Sequence, residues 1–267
     1  MGRIRRAVGR MASRVESLIT PRGELVPPFH LRWSYYRTAK REGYRNFARD
    51  AAIELVSRGL EPYHSVLDVG CGIGPLAIGL LPHLEHGHYE GLDIHPEAVA
   101  WCQKAITPKH ANFRFQLADI RNSAYNPNGR IAASEFRFPY PDGTFNFAFL
   151  GSVATHQPIE EIAHYLKELS RVLRPGGKCI ISYYLLHVDS LKGIAEGKSF
   201  LPFIHDFGTR GSRVVDPANP DLAIAHPEAA VRESYSEAGL NVEEPIRFGR
   251  WWDSFAHQQD VVTAAKP

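Results

Sequence analysis

The stretch Val66-Leu67-Asp68-Val69-Gly70-Cys71-Gly72-Ile73-Gly74 decides the fold. It begins as a short apolar run of the kind that forms a buried strand, and its three glycines then alternate with other residues. Glycine is favoured where the backbone turns sharply and where a ligand approaches too closely for a Cβ atom. The stretch therefore predicts a strand, a ligand-binding turn and a helix that follows it.

The sequence on either side alternates between strand and helix patterns. Because strands that alternate with helices of this length form parallel sheets, we predict an α/β, Rossmann-like doubly wound sheet of seven strands. The last two strands are too close in sequence for a crossover helix, so they predict an antiparallel closing hairpin. Strands are predicted over residues 65–70, 88–94, 113–119, 145–150, 179–185, 242–248 and 260–265, and helices over 35–59, from 96, over 160–173 and over 227–239.

Two local patterns refine this arrangement. In the helix over 35–59, an apolar face of Phe47, Ala51, Leu55 and Val56 is expected to be buried. Pro175-Gly176-Gly177 is expected to form the turn into the fifth strand. Together the two patterns predict the buried side of this helix and the start of the fifth strand.

Acidic residues stand at the ends of two further predicted strands. Asp93 ends the second strand, where a carboxylate can accept both ribose hydroxyls of an adenosine. Asp119 ends the third strand and is placed to meet an adenine amino group. These carboxylates would repel a pyrophosphate, and Pro75 breaks the Gly-x-Gly-x-x-Gly pattern of dinucleotide sites. A nicotinamide oxidoreductase is therefore disfavoured.

Composition bounds the function further. The chain has 267 residues, 44% of them hydrophobic, and a formal net charge of +2, which fits one large domain with insertions and gives no pull toward nucleic acid. No apolar run is long enough to span a membrane. The three cysteines are odd in number and lack zinc-binding spacing, so we expect no metal site of that kind and a cytoplasmic location.

The amino terminus differs from the rest of the chain. Residues 1–14 carry five arginines and no acid, and their apolar residues recur at the spacing of one helical face. Such a basic amphipathic helix can lie peripherally on an anionic membrane, or pack on the domain or on the partner in a homodimer. We predict an arm over residues 1–28 and a single domain over 29–267, and we leave these contacts open.

The spaced motifs together resemble the class I S-adenosylmethionine (SAM)-dependent methyltransferases over about Ser65 to Gly177. VLDVGCGIG resembles the first motif of that family, GLDI the second and LADI the adenine-contacting segment, and residues 138–156 and 168–182 resemble its fourth-to-fifth-strand region. The resemblance implies SAM as cofactor and S-adenosylhomocysteine (SAH) as product. It implies a methionine site at Asp68, Gly70, Cys71 and Gly72, a ribose site at Asp93 and Ile94, an adenine site at Asp119 and Ile120, and a place near the reacting methyl for Gly151 and Ser152.

The residues after the fourth strand indicate which atom is methylated. They lack the Asn/Asp-Pro-Pro-Tyr motif of enzymes that methylate nucleic-acid bases, and residues 152–158 contain no carboxylate for a catechol-type metal site. They do contain His156, whose imidazole titrates near neutral pH and can take a hydroxyl proton. We therefore predict O-methylation with His156 as the candidate general base, and no metal.

The acceptor site is expected to come from insertions. Those at 122–141 and 187–226 follow strand ends and are longer than ordinary connections. Tryptophan beside Asp and Arg suits sugar binding, and likeness to bacterial polysaccharide and glycolipid methyltransferases points the same way. A phenolic or polyketide-like acceptor, an aminopropyl transferase and a non-catalytic SAM-binding module remain alternatives. The predicted substrate residues are Arg32, Tyr35, Tyr36, Trp251 and Trp252.

Overall fold

The computed structural model describes residues 13, 24–36, 40–123, 125–253 and 258–267. Contacts divide the chain into two compact units, residues 1–64 with 71–118 and residues 65–70 with 119–267. Most of the predicted arm over residues 1–28 lies outside the described residues, so its boundary stays a prediction. Within the described ranges, no helix has the length and apolarity that a membrane crossing requires.

The strands confirm the predicted fold class. Seven of them form one sheet in the order β10-β11-β5-β4-β1-β2-β3 once the strands are numbered along the chain. The β1–β4, β4–β5 and β2–β3 pairs are parallel, and β11 is antiparallel to both of its neighbours. The strands are β1 (Ser65–Val69), β2 (His88–Asp93), β3 (Phe113–Leu117), β4 (Phe145–Leu150), β5 (Leu173–Tyr183), β6 (Leu185–Leu186), β7 (His205–Phe207), β8 (Ser212–Val214), β9 (Ile224–Pro227), β10 (Asn241–Val242) and β11 (Asp260–Ala265).

The helices follow the predicted alternation with one break. Where the sequence predicts a single helix over 35–59, the structure has α1 ending at Tyr36 and α2 beginning at Arg41. The α-helices are α1 (Phe29–Tyr36), α2 (Arg41–Ser57), α3 (Pro75–Leu80), α4 (Pro96–Ala105), α5 (Ile159–Val172), α6 (Val188–Ala195) and α7 (Glu228–Glu237), and short 3-10 helices cover Ala133–Glu135, Ala154–His156 and Pro220–Leu222.

The buried face of α2 is only partly the predicted one. Phe47 and Val56 are 45% and 40% exposed, whereas Tyr44, Ala48, Ala52 and Leu55 are buried. The Tyr44 hydroxyl donates a hydrogen bond to the Ile73 carbonyl over 2.7 Å. A Cβ atom on Gly79 of α3 would lie 2.1 Å from the Ala48 carbonyl oxygen, so the two helices are in direct backbone contact there. This close packing selects the small residues as the inner face.

The Pro175–Gly177 segment is also not a simple turn before β5. It lies inside β5, where the pairing with β4 shifts register between Phe145 opposite Leu173 and Phe147 opposite Lys178. The extra residues on the β5 side are accommodated because Gly176 has a φ of +75°. The segment is therefore a bulge in a strand that begins six residues earlier than predicted.

The insertion over 187–226 is ordered by a second, small sheet that sequence reasoning did not predict. Its strands have the order β6-β9-β8-β7. Strands of two to four residues are too short to show an alternating pattern. Beneath this sheet lies a cluster of buried apolar side chains, namely Leu186, Phe203, Ala223, Ala225 and Trp251.

Candidate active site

The glycine turn after β1 has the backbone that the sequence predicts. Gly70, Gly72 and Gly74 have φ values of +78°, +51° and +70°, in the left-handed region that favours glycine. A Cβ atom on Gly70 would lie 2.3 Å from Cγ2 of Val153, in the segment that follows β4. Side chains are thus excluded at Gly70 by contact as well as by conformation. Asp68, inside β1, and Cys71 are buried.

Asp93 lies against the same turn in the unit that contains residues 71–118. One carboxylate oxygen accepts a hydrogen bond from the Gly72 N–H and the other accepts one from the His95 N–H, each over 2.7 Å. The Tyr35 hydroxyl lies 3.5 Å from the second oxygen. Burial raises the pKa of Asp93, and the two backbone hydrogen bonds oppose that shift. The structure therefore brings together two predicted cofactor residues, Gly72 and Asp93, with half-buried Ile94 next in the chain.

Asp119 has a partner that the sequence did not reveal. The Arg130 side chain pairs with its carboxylate, and the Arg130 N–H donates to it over 3.2 Å. The hydrogen bonds from Arg130 lower the pKa of Asp119. Ile120 is buried and bridges to Ile131, so these contacts hold the insertion over 122–141 against Asp119 and Ile120.

A polar network occupies the end of β4, where Gly151 and Ser152 were predicted to approach the methyl group. Ser152 has a φ of +58°, and its N–H donates to the Ser182 hydroxyl over 2.7 Å. Its own hydroxyl donates to the Gln259 side chain over 3.0 Å, and Gln259 in turn contacts the Tyr184 hydroxyl over 3.4 Å. Sequence reasoning missed Ser182, Tyr184 and Gln259, because only the sheet order brings β5 beside β4 and β11 beside β5.

His156 ends the short 3-10 helix that follows β4. Its Nδ1 lies 2.8 Å from the Asp221 carbonyl oxygen, and the ring meets Tyr125 edge-on at 5.6 Å between centroids. A carbonyl oxygen only accepts hydrogen bonds, so Nδ1 carries the proton and Nε2 keeps its lone pair. Burial lowers the pKa of His156. The imidazole is therefore neutral at pH 7, with its lone pair on Nε2.

His156 lines a polar cleft of about 390 Å³. The Ser123 hydroxyl donates to the Asp221 carboxylate at its rim. Burial and the nearby charges of Asp221 and Glu160 raise the pKa of Glu161, in the first turn of α5, to about 7. Sequence reasoning missed this set, although Glu161 stands in the first turn of a predicted helix. The cleft is lined by Arg121, Asn122, Ser123, Pro127, His156, Pro158, Glu161 and Asp221.

Two of the predicted substrate residues are closed to a ligand in this structure. Arg32 is fully buried, and its guanidinium donates to the Pro27 carbonyl over 2.5 Å. Trp251 is 2% exposed, and its indole N–H donates to Asp260 over 2.7 Å. Trp251 also packs against Tyr184 and Phe203, so it is placed as a core residue. Contact with substrate is not expected for either side chain.

The other predicted substrate residues differ in accessibility. Tyr35 is half-buried beside Asp93 and Gly72. Trp252 is half-buried against Gly193 of α6, with Arg250 over its ring at 6.0 Å. The Tyr36 side chain is outside the described part of the chain. Within that part, no group of three or more His, Cys, Asp or Glu side chains is arranged to hold a metal ion.

Known proteins are similar to part of this sequence. Residues 66–177 match the family model described as a methyltransferase domain. An uncharacterized methyltransferase of Schizosaccharomyces pombe is 27% identical over 112 residues, which are 42% of this chain and 37% of that protein. A demethylmenaquinone methyltransferase of Halalkalibacterium halodurans is 30% identical over 117 residues, or 43% of this chain and 41% of that protein.

A solved structure extends the likeness of fold to most of the chain. The PH0226 protein of Pyrococcus horikoshii OT3 matches with a TM-score of 0.59 over 88% of this chain and 96% of that one, at 16% identity. The chain spans less than half the length of the two curated relatives, so the substrate of the whole protein is not transferred from them. Residues 66–177 thus carry a methyltransferase domain, and the chain resembles SAM-dependent methyltransferases in its fold.

Proposed function

We propose that the protein is a SAM-dependent O-methyltransferase that acts on a hydroxyl of a small molecule or a saccharide, with His156 as general base. The observation that carries the proposal is the hydrogen bond between Nδ1 of His156 and the Asp221 carbonyl. The Asp221 carbonyl fixes the proton on Nδ1, and the cleft supplies space beside the ring. A neutral, oriented imidazole in a polar cleft is suited to accept a hydroxyl proton.

The residues at the glycine turn fit the cofactor. The turn keeps the left-handed backbone of a tight glycine turn, and the buried Asp93 carboxylate accepts a hydrogen bond from the Gly72 N–H over 2.7 Å. When bound, SAM supplies a sulfonium methyl group that an oxygen nucleophile can take. We assign its methionine end to Asp68, Gly70, Cys71 and Gly72, its ribose to Asp93 and Ile94, its adenine to Asp119 and Ile120, and the methyl region to Gly151 and Ser152.

Proton transfer is the chemical role of the chain itself. As the acceptor oxygen forms its bond to the methyl carbon, its proton passes to Nε2 of His156. The charged imidazolium then releases a proton to solvent, which its lowered pKa favours. The products are a methyl ether and SAH, so atoms and charge balance. Catalysis by positioning and proton removal needs no metal at this site.

The cleft lining favours a hydroxyl-rich acceptor. Six of its eight lining residues carry polar side chains, among them Arg121, Asn122 and Glu161. Hydroxyl groups can pair with such side chains, whereas a flat apolar ring would leave them without partners. The H. halodurans relative is named a demethylmenaquinone methyltransferase, so a phenolic acceptor is the competing class. We propose a saccharide or polyol over a phenol.

Transfer of a labelled methyl group tests both parts of this proposal. Wild-type protein is incubated with labelled SAM and separate pools of saccharides and phenols, and the labelled product is identified. We expect saccharide products, and we expect His156→Ala to lose about 100- to 10,000-fold in turnover while keeping SAH affinity. Phenolic products would contradict the acceptor class. Undiminished turnover in His156→Ala would contradict the base, and no transfer to any pool would favour a non-catalytic SAM-binding module.

The location and partners of the protein remain proposals as well. We propose a cytoplasmic enzyme whose basic arm over residues 1–28 contacts an anionic membrane surface peripherally or a second copy of the chain. The support is the run of arginines on an amphipathic pattern. Co-sedimentation with anionic vesicles at low salt should fall when residues 1–20 are removed. Equal sedimentation of both proteins would contradict the membrane contact, and light scattering reports the dimer.

A further inference from the structure

His226 is a buried histidine that methyl transfer as described does not use. It lies in β9 of the small sheet and is 0% exposed. Its Nδ1 is 2.9 Å from the Ser212 hydroxyl in β8, and its Nε2 is 3.2 Å from the Ala154 carbonyl oxygen. Ala154 begins the same 3-10 helix that ends at His156. The ring therefore joins the small sheet to the helix of the candidate base.

The two contacts fix the tautomer of His226. The Ala154 carbonyl only accepts, so Nε2 carries the proton and Nδ1 accepts the hydrogen of the Ser212 hydroxyl. Burial lowers the pKa of His226 to about 4, which keeps the ring neutral at pH 7. A neutral ring in this tautomer satisfies both partners. Ser212, 2% exposed, thereby holds the ring in the orientation that reaches Ala154.

A second hydrogen bond from the same insertion reaches the same helix. The backbone carbonyl of Asp221, in the 3-10 helix Pro220–Leu222, accepts a hydrogen bond from Nδ1 of His156. Preceding the helix, Val153 packs against Gly70 of the glycine turn. The residues from Val153 to His156 are thus held between the glycine turn and the insertion over 187–226.

We infer that His226 is a positioning residue that holds the Ala154–His156 helix so that His156 faces the cleft. This inference rests on the proposed role of His156 as base. Misplacement of a reacting group by about 1 Å can cost about 100-fold in rate. The hydrogen bond from His226 to Ala154, at the start of a one-turn helix, can therefore affect catalysis by His156. The small sheet then contributes to catalysis as well as to the structure of the insertion over 187–226.

Two substitutions at His226 test the inference. His226→Leu introduces an apolar side chain of related size and removes both hydrogen bonds, whereas His226→Gln keeps a donor that can reach Ala154. We expect His226→Leu to lower kcat about 10- to 100-fold, with KM for SAM and SAH affinity within about twofold of wild type. We expect His226→Gln to recover most of the loss. Recovery by Gln would not occur if only packing mattered.

Ile224→Val is the matched control. Ile224 is fully buried in the same strand, and the substitution costs stability without removing a side-chain hydrogen bond. Its kcat should equal that of wild type at a comparable loss of melting temperature. An equal fall of kcat in Ile224→Val and His226→Leu would overturn the inference, because it would show a general effect of stability.

Nitrogen NMR of the His156 ring separates this inference from the proposed function. If His226 positions the helix, His226→Leu changes the His156 ring signals and moves its pKa toward the ordinary value near 6.5, whatever His156 does in catalysis. Unchanged signals in a folded His226→Leu would overturn the inference even if His156→Ala abolished turnover. Should His226→Leu fail to fold, His226→Asn is the second variant, because its shorter amide side chain does not reach the Ala154 carbonyl, and unchanged His156 signals there would overturn the inference equally.

Discussion

At the residue scale, Gly70 shows how one missing side chain sets the site. Alanine there must adopt a φ of +78° and place its Cβ 2.3 Å from Val153. Strain at positive φ costs about 1–2 kcal/mol, and displacement of Val153 adds to it. We expect Gly70→Ala to lose both stability and SAH affinity, measured by urea unfolding and calorimetry.

Gly143→Ala is the control for Gly70→Ala. Gly143 has a φ of +61° with no atom within 4 Å of its Cβ position, so it carries the conformational strain without the collision. Gly143→Ala should lose about 1–2 kcal/mol of stability and no SAH affinity. Added Val153→Ala should restore part of the SAH affinity of Gly70→Ala. Failure of that rescue would contradict the proposed contact.

The protonation of His156 predicts the pH dependence of turnover. The base acts in its neutral form, so activity is present above its pKa and is lost as the pH falls through it. Because burial lowers this pKa, the acid limb of kcat/KM should lie below the ordinary value of about 6.5. A limb at or above 6.5 would contradict the buried, neutral imidazole.

At the scale of elements, two substitutions in α2 test which face of that helix packs on α3. Tyr44→Phe removes the hydroxyl that bonds the Ile73 carbonyl in a buried place, so we expect a loss of about 1–2 kcal/mol in the free energy of unfolding. Phe47→Ala, on the exposed face, should change it by no more than about 0.5 kcal/mol. Urea unfolding of both variants decides. A larger loss of stability in Phe47→Ala than in Tyr44→Phe would contradict the observed inner face and support the face that the sequence predicts.

The same helix explains why prediction of elements succeeded only in part. Strand β4 was predicted residue for residue because its apolar run is bounded by a turn on each side. The inner face of α2 was predicted only in part. Small residues at Ala48 and Ala52 are required there because the backbone of α3, which lies elsewhere in the sequence, packs against them. Strands β6 to β9 were missed because their pairing is entirely between segments too short to carry a pattern.

The candidate site shows the same division. Asp93, Gly72 and His156 stand in stretches that resemble family motifs, so they could be named as candidates from the sequence alone. Asp221, Arg130 and His226 act through contacts with residues 11 to 72 positions away, and no local pattern marks them. Long-range contacts of this kind are known only once the insertions are folded.

At the scale of the whole molecule, buried His226 makes stability depend on pH. Its pKa falls from about 6.5 in the unfolded chain to about 4 in the folded one, so the unfolded state binds more protons between these values. The contribution is complete above pH 6.5 and is lost as the pH falls toward 4, by about 3 kcal/mol at most.

Comparison with His226→Gln isolates this contribution. Glu161, whose pKa is raised to about 7, titrates in the opposite sense: it stabilises the fold at low pH and loses that effect as the pH rises toward 7. The melting curve of wild type alone therefore mixes the two groups. The stability difference between wild type and His226→Gln should shrink from pH 7 to pH 5. A constant difference would contradict a neutral, buried His226.

The most direct test of the account is calorimetric titration with SAH. Folded wild-type protein should bind it with a dissociation constant near micromolar, a free energy of about 8 kcal/mol. Asp93→Ala should lose that binding, while Asp189→Ala, an exposed acid in α6, should keep it, with melting curves showing that each variant is folded. Absence of SAH binding by folded wild-type protein, or full affinity in Asp93→Ala, would contradict the cofactor site and the enzyme built on it.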